Sequence, residues 1–213
     1  MLEIAFFIIL RQIFTAQLNM TPIFNNAASA ILRLQYRFSE KNEAINVVER
    51  LALAKRVLVF MPAKVEHFGA ALKALEKLRE KRPAWRITVV TKLEMVSFID
   101  NRLKLDILPY SSEDINLLGL PKGAIKKHFQ KSSYDLALDF EFGFSVLAIK
   151  LFDLSQAALR ACFDDDEKSF FYNFGIRVNP VEPLANKYSV MVKYITIVAD
   201  SYNPTATVAG ANH

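Results

Sequence analysis

Two short stretches of this sequence carry the side chains that could do chemistry. The first holds Lys64, Glu66 and His67, which follow an apolar run ending at Pro62. An imidazole can take up a proton near neutral pH, so His67 could act as a catalytic base. Glu66 could orient that imidazole, and Lys64 could bind an anionic ligand. Because adjacent residues on one turn rarely hydrogen-bond in a catalytic geometry, the sequence favours a surface role for His67 over catalysis.

The second stretch holds Asp139 and Glu141, at the end of a predicted buried strand. Residues two apart share one face while a strand continues, so the two carboxylates could form an acid/base pair or a cation-dependent site. Together with Lys64, Glu66 and His67 they make up the predicted ligand-binding set.

Composition argues against several other kinds of site. Cys162 is the single cysteine, which excludes an internal disulfide and a cysteine-based zinc site, and its apolar neighbours predict buried packing. No glycine-rich phosphate motif occurs, and the chain has six glycines. The acidic run 164–167 could attract a divalent cation, but adjacent side chains do not all point one way. The sequence therefore predicts no metal site and no cofactor.

Length and charge indicate an ordinary globular chain. Its 213 residues, 52% of them hydrophobic, can bury a core of one domain. The net charge is +5, but lysine and arginine are spread over predicted helix faces without a run of five. A solvated surface explains this better than a nucleic-acid partner, which the sequence does not predict.

Apolar strands alternate with amphipathic helices from residue 55 onward. This alternation predicts an α/β fold, a Rossmann-like doubly wound and mainly parallel sheet of five to six strands. An aromatic stretch at 170–174 is a further strand or a loop. Strands are predicted at 55–62, 86–91, 105–110, 134–140 and 157–163, and helices at 44–54, 70–82, 93–101, 146–154 and 186–201.

The sequence divides into four predicted parts. Residues 1–54 form a helical N-terminal extension, 55–182 the Rossmann-like domain, 183–202 a C-terminal helix and 203–213 a flexible tail. The apolar block 4–10 is too short to span a bilayer, so it predicts either a packed helix or sequence upstream of a natural start at Met20. A helix over 23–38 is predicted to cover the domain, with contact at a membrane surface as the alternative.

Four stretches resemble one family of proteins. They are the first strand and helix at 56–82, Ser133-Tyr134-Asp135-Leu136-Ala137-Leu138-Asp139-Phe140, the helix and strand at 147–163, and Ala185-Asn186-Lys187-Tyr188. In order and spacing they are similar to the N-terminal half of the ADP-heptose:lipopolysaccharide heptosyltransferase-like glycosyltransferases. The resemblance implies one half of a GT-B fold and a role in bacterial lipopolysaccharide biosynthesis. It also implies a cytoplasmic protein, either free in the cytoplasm or peripheral on the inner face of the membrane.

Two departures from that family decide the functional interpretation. Glu66 and His67 stand where the family has a Gly-Asp pair whose aspartate is the proposed base. The second domain, which in the family holds most of the nucleotide-sugar donor, has no counterpart here. The sequence therefore predicts a degenerate, non-catalytic binding or interaction module.

Two alternatives stay open. One is an acceptor-binding half of a glycosyltransferase that acts with a separate donor domain and uses His67. The other is a nucleotide-binding or sensory Rossmann-like protein. The predicted partners are a second copy or another protein bound through residues 1–38, and an anionic sugar or nucleotide-sugar ligand.

Overall fold

The computed structural model describes residues 45–202, and a six-stranded sheet lies at the centre of this part of the chain. Its strands are β1 (Arg56–Phe60), β2 (Arg86–Lys92), β3 (Asp106–Tyr110), β4 (Leu136–Asp139), β5 (Leu159–Phe163) and β6 (Phe174–Ile176). The α-helices are α1 (Val47–Leu53), α2 (Val65–Lys81), α3 (Gly123–Gln130), α4 (Val146–Leu154) and α5 (Leu184–Asp200). Short 3-10 helices lie at Leu93–Phe98, Asn101–Leu103 and Ser112–Asp114.

All six strands are parallel, in the order β3-β2-β1-β4-β5-β6. The predicted α/β, Rossmann-like, doubly wound sheet is therefore confirmed. The strand order reverses between β1 and β4, which lie side by side at the middle of the sheet. In open parallel sheets, ligands bind outside the carboxyl ends of the strands at such a reversal. This place, the carboxyl edge of β1 and β4, is called the switch point below.

Alternation along the strands sends side chains into two cores. Val59 and Leu138 face one side, which is covered by α1, α2 and α5. Leu58 and Ala137 face the other, which is covered by α3 and α4. These four side chains are fully buried, and burying a valine or leucine contributes about 1.5–3 kcal/mol. Burial on both faces explains why the strands are almost continuously apolar.

Helix α2 begins at Val65, earlier than the predicted residue 70. Lys64 precedes it in an extended conformation as the N-cap residue. Glu66 lies in the first turn, where a carboxylate interacts favourably with the positive end of the helix dipole. Glu66 and His67 therefore lie on a helix that starts directly after the loop of residues 61–64.

The end of the predicted N-terminal extension contributes to the domain core. Helix α1 packs against α5, and its Leu51 is fully buried in the same core as α2. The predicted apolar block 4–10, the predicted helix 23–38 and the predicted tail 203–213 lie outside the described residues. The division at residue 55 stays a prediction.

Candidate functional site

The loops that follow β1 and β4 are joined at the switch point. The backbone N–H of Ala63, after β1, donates to Oε2 of Glu141, after β4, over 2.9 Å. The other carboxylate oxygen of Glu141 accepts from the N–H groups of Phe142 and Gly143, at 3.1 and 3.4 Å. Both oxygens of Glu141 are thus engaged by backbone donors of the two loops. This side chain ties together the two sides of the expected crevice.

Asp139, the last residue of β4, is fully buried and carries its own set of partners. Its Oδ2 accepts from Lys168 Nζ at 2.9 Å and from the Tyr172 hydroxyl at 2.6 Å. Its Oδ1 accepts from the backbone N–H of Glu141 at 3.0 Å. Lys168 is itself 1% exposed and also donates to the carbonyl oxygen of Glu141. A buried carboxylate is tolerable only with such pairing.

Asp139 and Glu141 therefore have different structural roles, although the sequence predicts that they share one face of a strand. The strand ends at Asp139, so Glu141 does not continue its face, and its side chain reaches the β1 loop instead. Asp139 bonds on the α4 side of the sheet, where Tyr172 packs edge-on against Phe152 with ring centroids 5.9 Å apart. Each carboxylate is used by the fold.

The side chain of Phe142 fills the space beside this loop. Its ring stacks on Phe163 at 4.0 Å between centroids and meets Tyr188 edge-on at 5.3 Å. His67 lies edge-on to the same ring at 5.4 Å. Lys187 Nζ lies 5.7 Å from the ring centroid, within cation–π range. Phe142 therefore packs between the first turn of α2, the end of β5 and the start of α5.

Of Lys64, Glu66 and His67, it is His67 that reaches the loop after β4, where it contacts Phe142. His67 is half-buried, and its Nδ1 is buried without a hydrogen-bond partner. Lys64 and Glu66 are exposed. The five predicted residues thus have different roles: Asp139 forms an internal ion pair, Glu141 joins two loops, His67 packs against Phe142, and Lys64 and Glu66 are exposed at the start of α2.

Lys168 and Tyr172 are the residues that sequence reasoning missed. Lys168 lies in the turn between the acidic run and the aromatic stretch, and Tyr172 follows it within that stretch. Sequence offers one signal for them: an aspartate ending a buried strand needs a buried cation. That signal demands a partner without identifying it among 27 lysines and arginines.

Burial shifts the ionisation of the groups around Asp139. It is the main cause that raises the pKa of Tyr172 well above its usual value, and the charge of Asp139 adds to it. Burial likewise raises the pKa of the Cys162 thiol to about 12; the Lys168 ammonium opposes this shift and the Asp139 carboxylate reinforces it. Cys162 pairs in register with Asp139 and is 2% exposed, which confirms its predicted buried packing.

Cys162 is expected not to react with iodoacetamide in the native protein near pH ~8, because the thiolate is the nucleophile. Its pKa rises from 9.0 to about 12 on folding, so the native state keeps a proton that the unfolded chain loses. This contribution to stability is complete below pH 9 and declines as the pH rises toward 12. Mass spectrometry with and without urea checks this: labelling as fast in the native as in the unfolded protein would contradict it.

The acidic run is held by local bonds. Asp164 forms an ion pair with Arg177 at 3.1 Å, and Oδ1 of Asp165 accepts from the backbone N–H of Glu167 at 2.7 Å. Among residues 45–202, no cluster of three or more histidine, cysteine, aspartate or glutamate side chains is placed to hold a metal ion. Over the same residues no helix combines the length and apolar character that crossing a bilayer requires.

Several solved glycosyltransferase structures are similar to this chain. The E. coli heptosyltransferase WaaC with ADP has a TM-score of 0.48 and 13% identity, over 70% of this chain and 48% of that one. The same enzyme with ADP-2-deoxy-2-fluoro heptose has a TM-score of 0.46 and 14% identity, over 70% and 49%. A family 9 glycosyl transferase from Veillonella parvula DSM 2008 has a TM-score of 0.48 and 16% identity, over 70% and 43%.

The predicted resemblance is thus found again among solved structures. The chain spans less than half the length of these proteins. No family model matches the chain, and no curated protein matches it either. Identities of 13–16% concern the fold and not the activity.

Proposed function

We propose that this chain is a non-catalytic interaction module built on a glycosyltransferase-like fold. The observation that carries the proposal is the loop after β4, which closes the switch point on itself. Glu141 binds the Ala63 N–H, and Phe142 packs against His67. The groups that would do chemistry at a ligand crevice are used to hold this loop in place.

Transfer of a sugar needs an accessible base and a donor held against the acceptor. Asp139 is neutralised inside the protein by Lys168, and both oxygens of Glu141 are occupied. His67 is the remaining candidate base, and it is the residue on which the acceptor-binding alternative depends.

Exposed apolar side chains at the same edge support an interaction role. Val65 starts α2 and is 66% exposed, while Leu93 and Phe98, in the 3-10 helix after β2, are 58% and 61% exposed. Phe98 lies 6.3 Å from Phe68 of α2 between ring centroids, so the two segments are neighbours. Contiguous exposed apolar surface marks places where proteins associate, and aromatic side chains such as Phe98 are enriched there.

The location and the partner belong to the same proposal. We place the protein in the cytoplasm, with residues 1–38 contacting a second copy, another protein or the inner face of the membrane. The apolar block 4–10 and the amphipathic pattern over 23–38 support this placement. A role beside lipopolysaccharide assembly rests on the resemblance to heptosyltransferases.

The catalytic side is tested by ADP release from ADP-heptose. We expect no release above the protein-free rate from the wild type or from His67→Ala. The free energy of unfolding of the variant should be about 1 kcal/mol lower than that of the wild type, because the variant loses the edge-on contact with Phe142. Release by the wild type that His67→Ala abolishes would overturn the proposal in favour of the acceptor-binding alternative.

The interaction side is tested by light scattering on the full chain over a range of concentrations, without detergent. We expect a molar mass above that of the 24.2 kDa monomer, or a detergent-dependent one. A chain that stays monomeric at every concentration, with or without detergent, would contradict association through its own surface.

A further inference from the structure

A second place for a ligand lies at the amino edge of the sheet, opposite the switch point. It is a cavity of about 250 Å³ between the amino ends of β1, β2 and β3 and the end of α3. Most pockets for small molecules are larger, at about 300–1,000 Å³, so this one suits a small ligand or one group of a larger one. Its polar lining includes Arg56, Arg86, Asp106, His128, Ser132 and Tyr134.

Strand register brings the charged groups of this cavity together. Arg56 of β1 pairs with Arg86 of β2, and Thr88 of β2 pairs with Asp106 of β3. Register partners on neighbouring strands project to the same face of a sheet. Two guanidinium groups therefore lie side by side on the face that α3 covers. The His128 ring also lines the cavity, and its Nε2 lies 3.5 Å from Ser132 Oγ.

The two arginines have different partners in the cavity. Arg86 Nε donates to Asp106 Oδ2 at 2.8 Å. Arg56 has no carboxylate partner within residues 45–202: its guanidinium donates to Ser133 Oγ at 3.2 Å and lies over the Tyr134 ring at 5.3 Å. The nearby Asp135 carboxylate accepts from the backbone N–H groups of Lys55 and Arg56. Within residues 45–202 the Arg56 guanidinium therefore bonds one side chain, Ser133, and its remaining N–H groups can donate to a ligand.

We propose that this cavity binds a small oxyanion, the phosphate or carboxylate group of a small molecule, with Arg56 as its main contact. A planar guanidinium donates two parallel hydrogen bonds to such a group. Arg86 adds a second positive charge beside it, and the Tyr134 ring holds the Arg56 guanidinium in position. The site is open to solvent, so its affinity falls as salt is added. It is independent of the switch point and of the interaction role.

Titration of the full chain with inorganic phosphate and, separately, with acetate at constant ionic strength tests the site by amide NMR. We expect saturable shifts at Arg56, Arg86, Thr88 and Ser132 with at least one probe, and the probe that saturates identifies the preferred head group. Arg56→Gln should weaken that binding about fivefold, through loss of charge-assisted hydrogen bonds.

Two further variants sharpen the result. Asp106→Asn should strengthen binding about threefold, because it removes the carboxylate that competes for Arg86. Arg102→Gln, whose arginine pairs with Asp100 on another turn, should leave binding unchanged. The absence of saturable shifts with both probes would overturn the proposal, and so would wild-type affinity in Arg56→Gln. If that variant fails to fold, an Asp106→Asn that binds no tighter overturns it.

Discussion

Lys168→Met is expected to lower the free energy of unfolding by about 3–5 kcal/mol. The substitution leaves the Asp139 carboxylate in the interior without its cation, since both side chains are at most 1% exposed. The Tyr172 hydroxyl and the Glu141 N–H still donate to Asp139, but two neutral donors do not replace the charge of the lysine. Denaturant unfolding followed by circular dichroism gives the value, with the slope checked against the wild type.

A double variant separates the contribution of the ion pair from that of the packing of the Lys168 side chain. The double variant Asp139→Asn with Lys168→Met removes both charges while the asparagine oxygen still accepts from Tyr172. We expect it to be more stable than Lys168→Met alone, by about 2 kcal/mol. Lys92→Met is the matched control: its lysine pairs with Glu94 at 3.6 Å near the surface, so the change should stay under about 0.5 kcal/mol. A double variant no more stable than Lys168→Met would show that the charges are not coupled.

Glu141→Ala is expected to cost about 2 kcal/mol, the second largest effect. Its removal leaves the N–H groups of Ala63, Phe142 and Gly143 without their acceptor. A buried donor left unpaired costs about 1–3 kcal/mol, but Gly143 is exposed and can turn to water. Chemical unfolding measures the loss.

Two control variants help to interpret the loss of stability expected for Glu141→Ala. Glu141→Gln should lose about half as much, because one amide oxygen can still accept while the amide nitrogen faces a donor. Glu113→Ala, at an exposed position of a 3-10 helix, should leave the midpoint of unfolding unchanged. Replacing a carboxylate that faces a ligand is often neutral or stabilising, so an unchanged or more stable Glu141→Ala would indicate an open site.

Much of the fold follows from local sequence pattern. Helix α4 has its predicted bounds, β2 starts at the predicted Arg86, and β5 ends at the predicted Phe163. These positions depend on apolar spacing and turn residues, which act within a few residues along the chain. The shifted boundaries have local causes as well. β5 starts at Leu159 and not at residue 157: between α4 and the strand the chain turns at Gln156, whose φ is 55°.

The contacts of the site were harder to predict from the sequence, because they join residues that are far apart along the chain. Asp139 and Lys168 are 29 positions apart, and Glu141 and Ala63 are 78 apart. Their pairing depends on which strands become neighbours and on where β4 ends. Alternation alone placed Asp139 and Glu141 on one face, but the chain turns after Asp139 and sends the second carboxylate to another loop. No periodicity records such a turn.

The most direct test of the closed switch point is the hydrogen exchange of the Ala63 amide. Its N–H is bonded to Glu141 at 2.9 Å, so we expect slow exchange in the wild type, faster exchange in Glu141→Gln, and no change on adding ADP. An Ala63 amide that exchanges as fast as in an unstructured peptide, or one that ADP protects, would contradict a closed, non-catalytic edge.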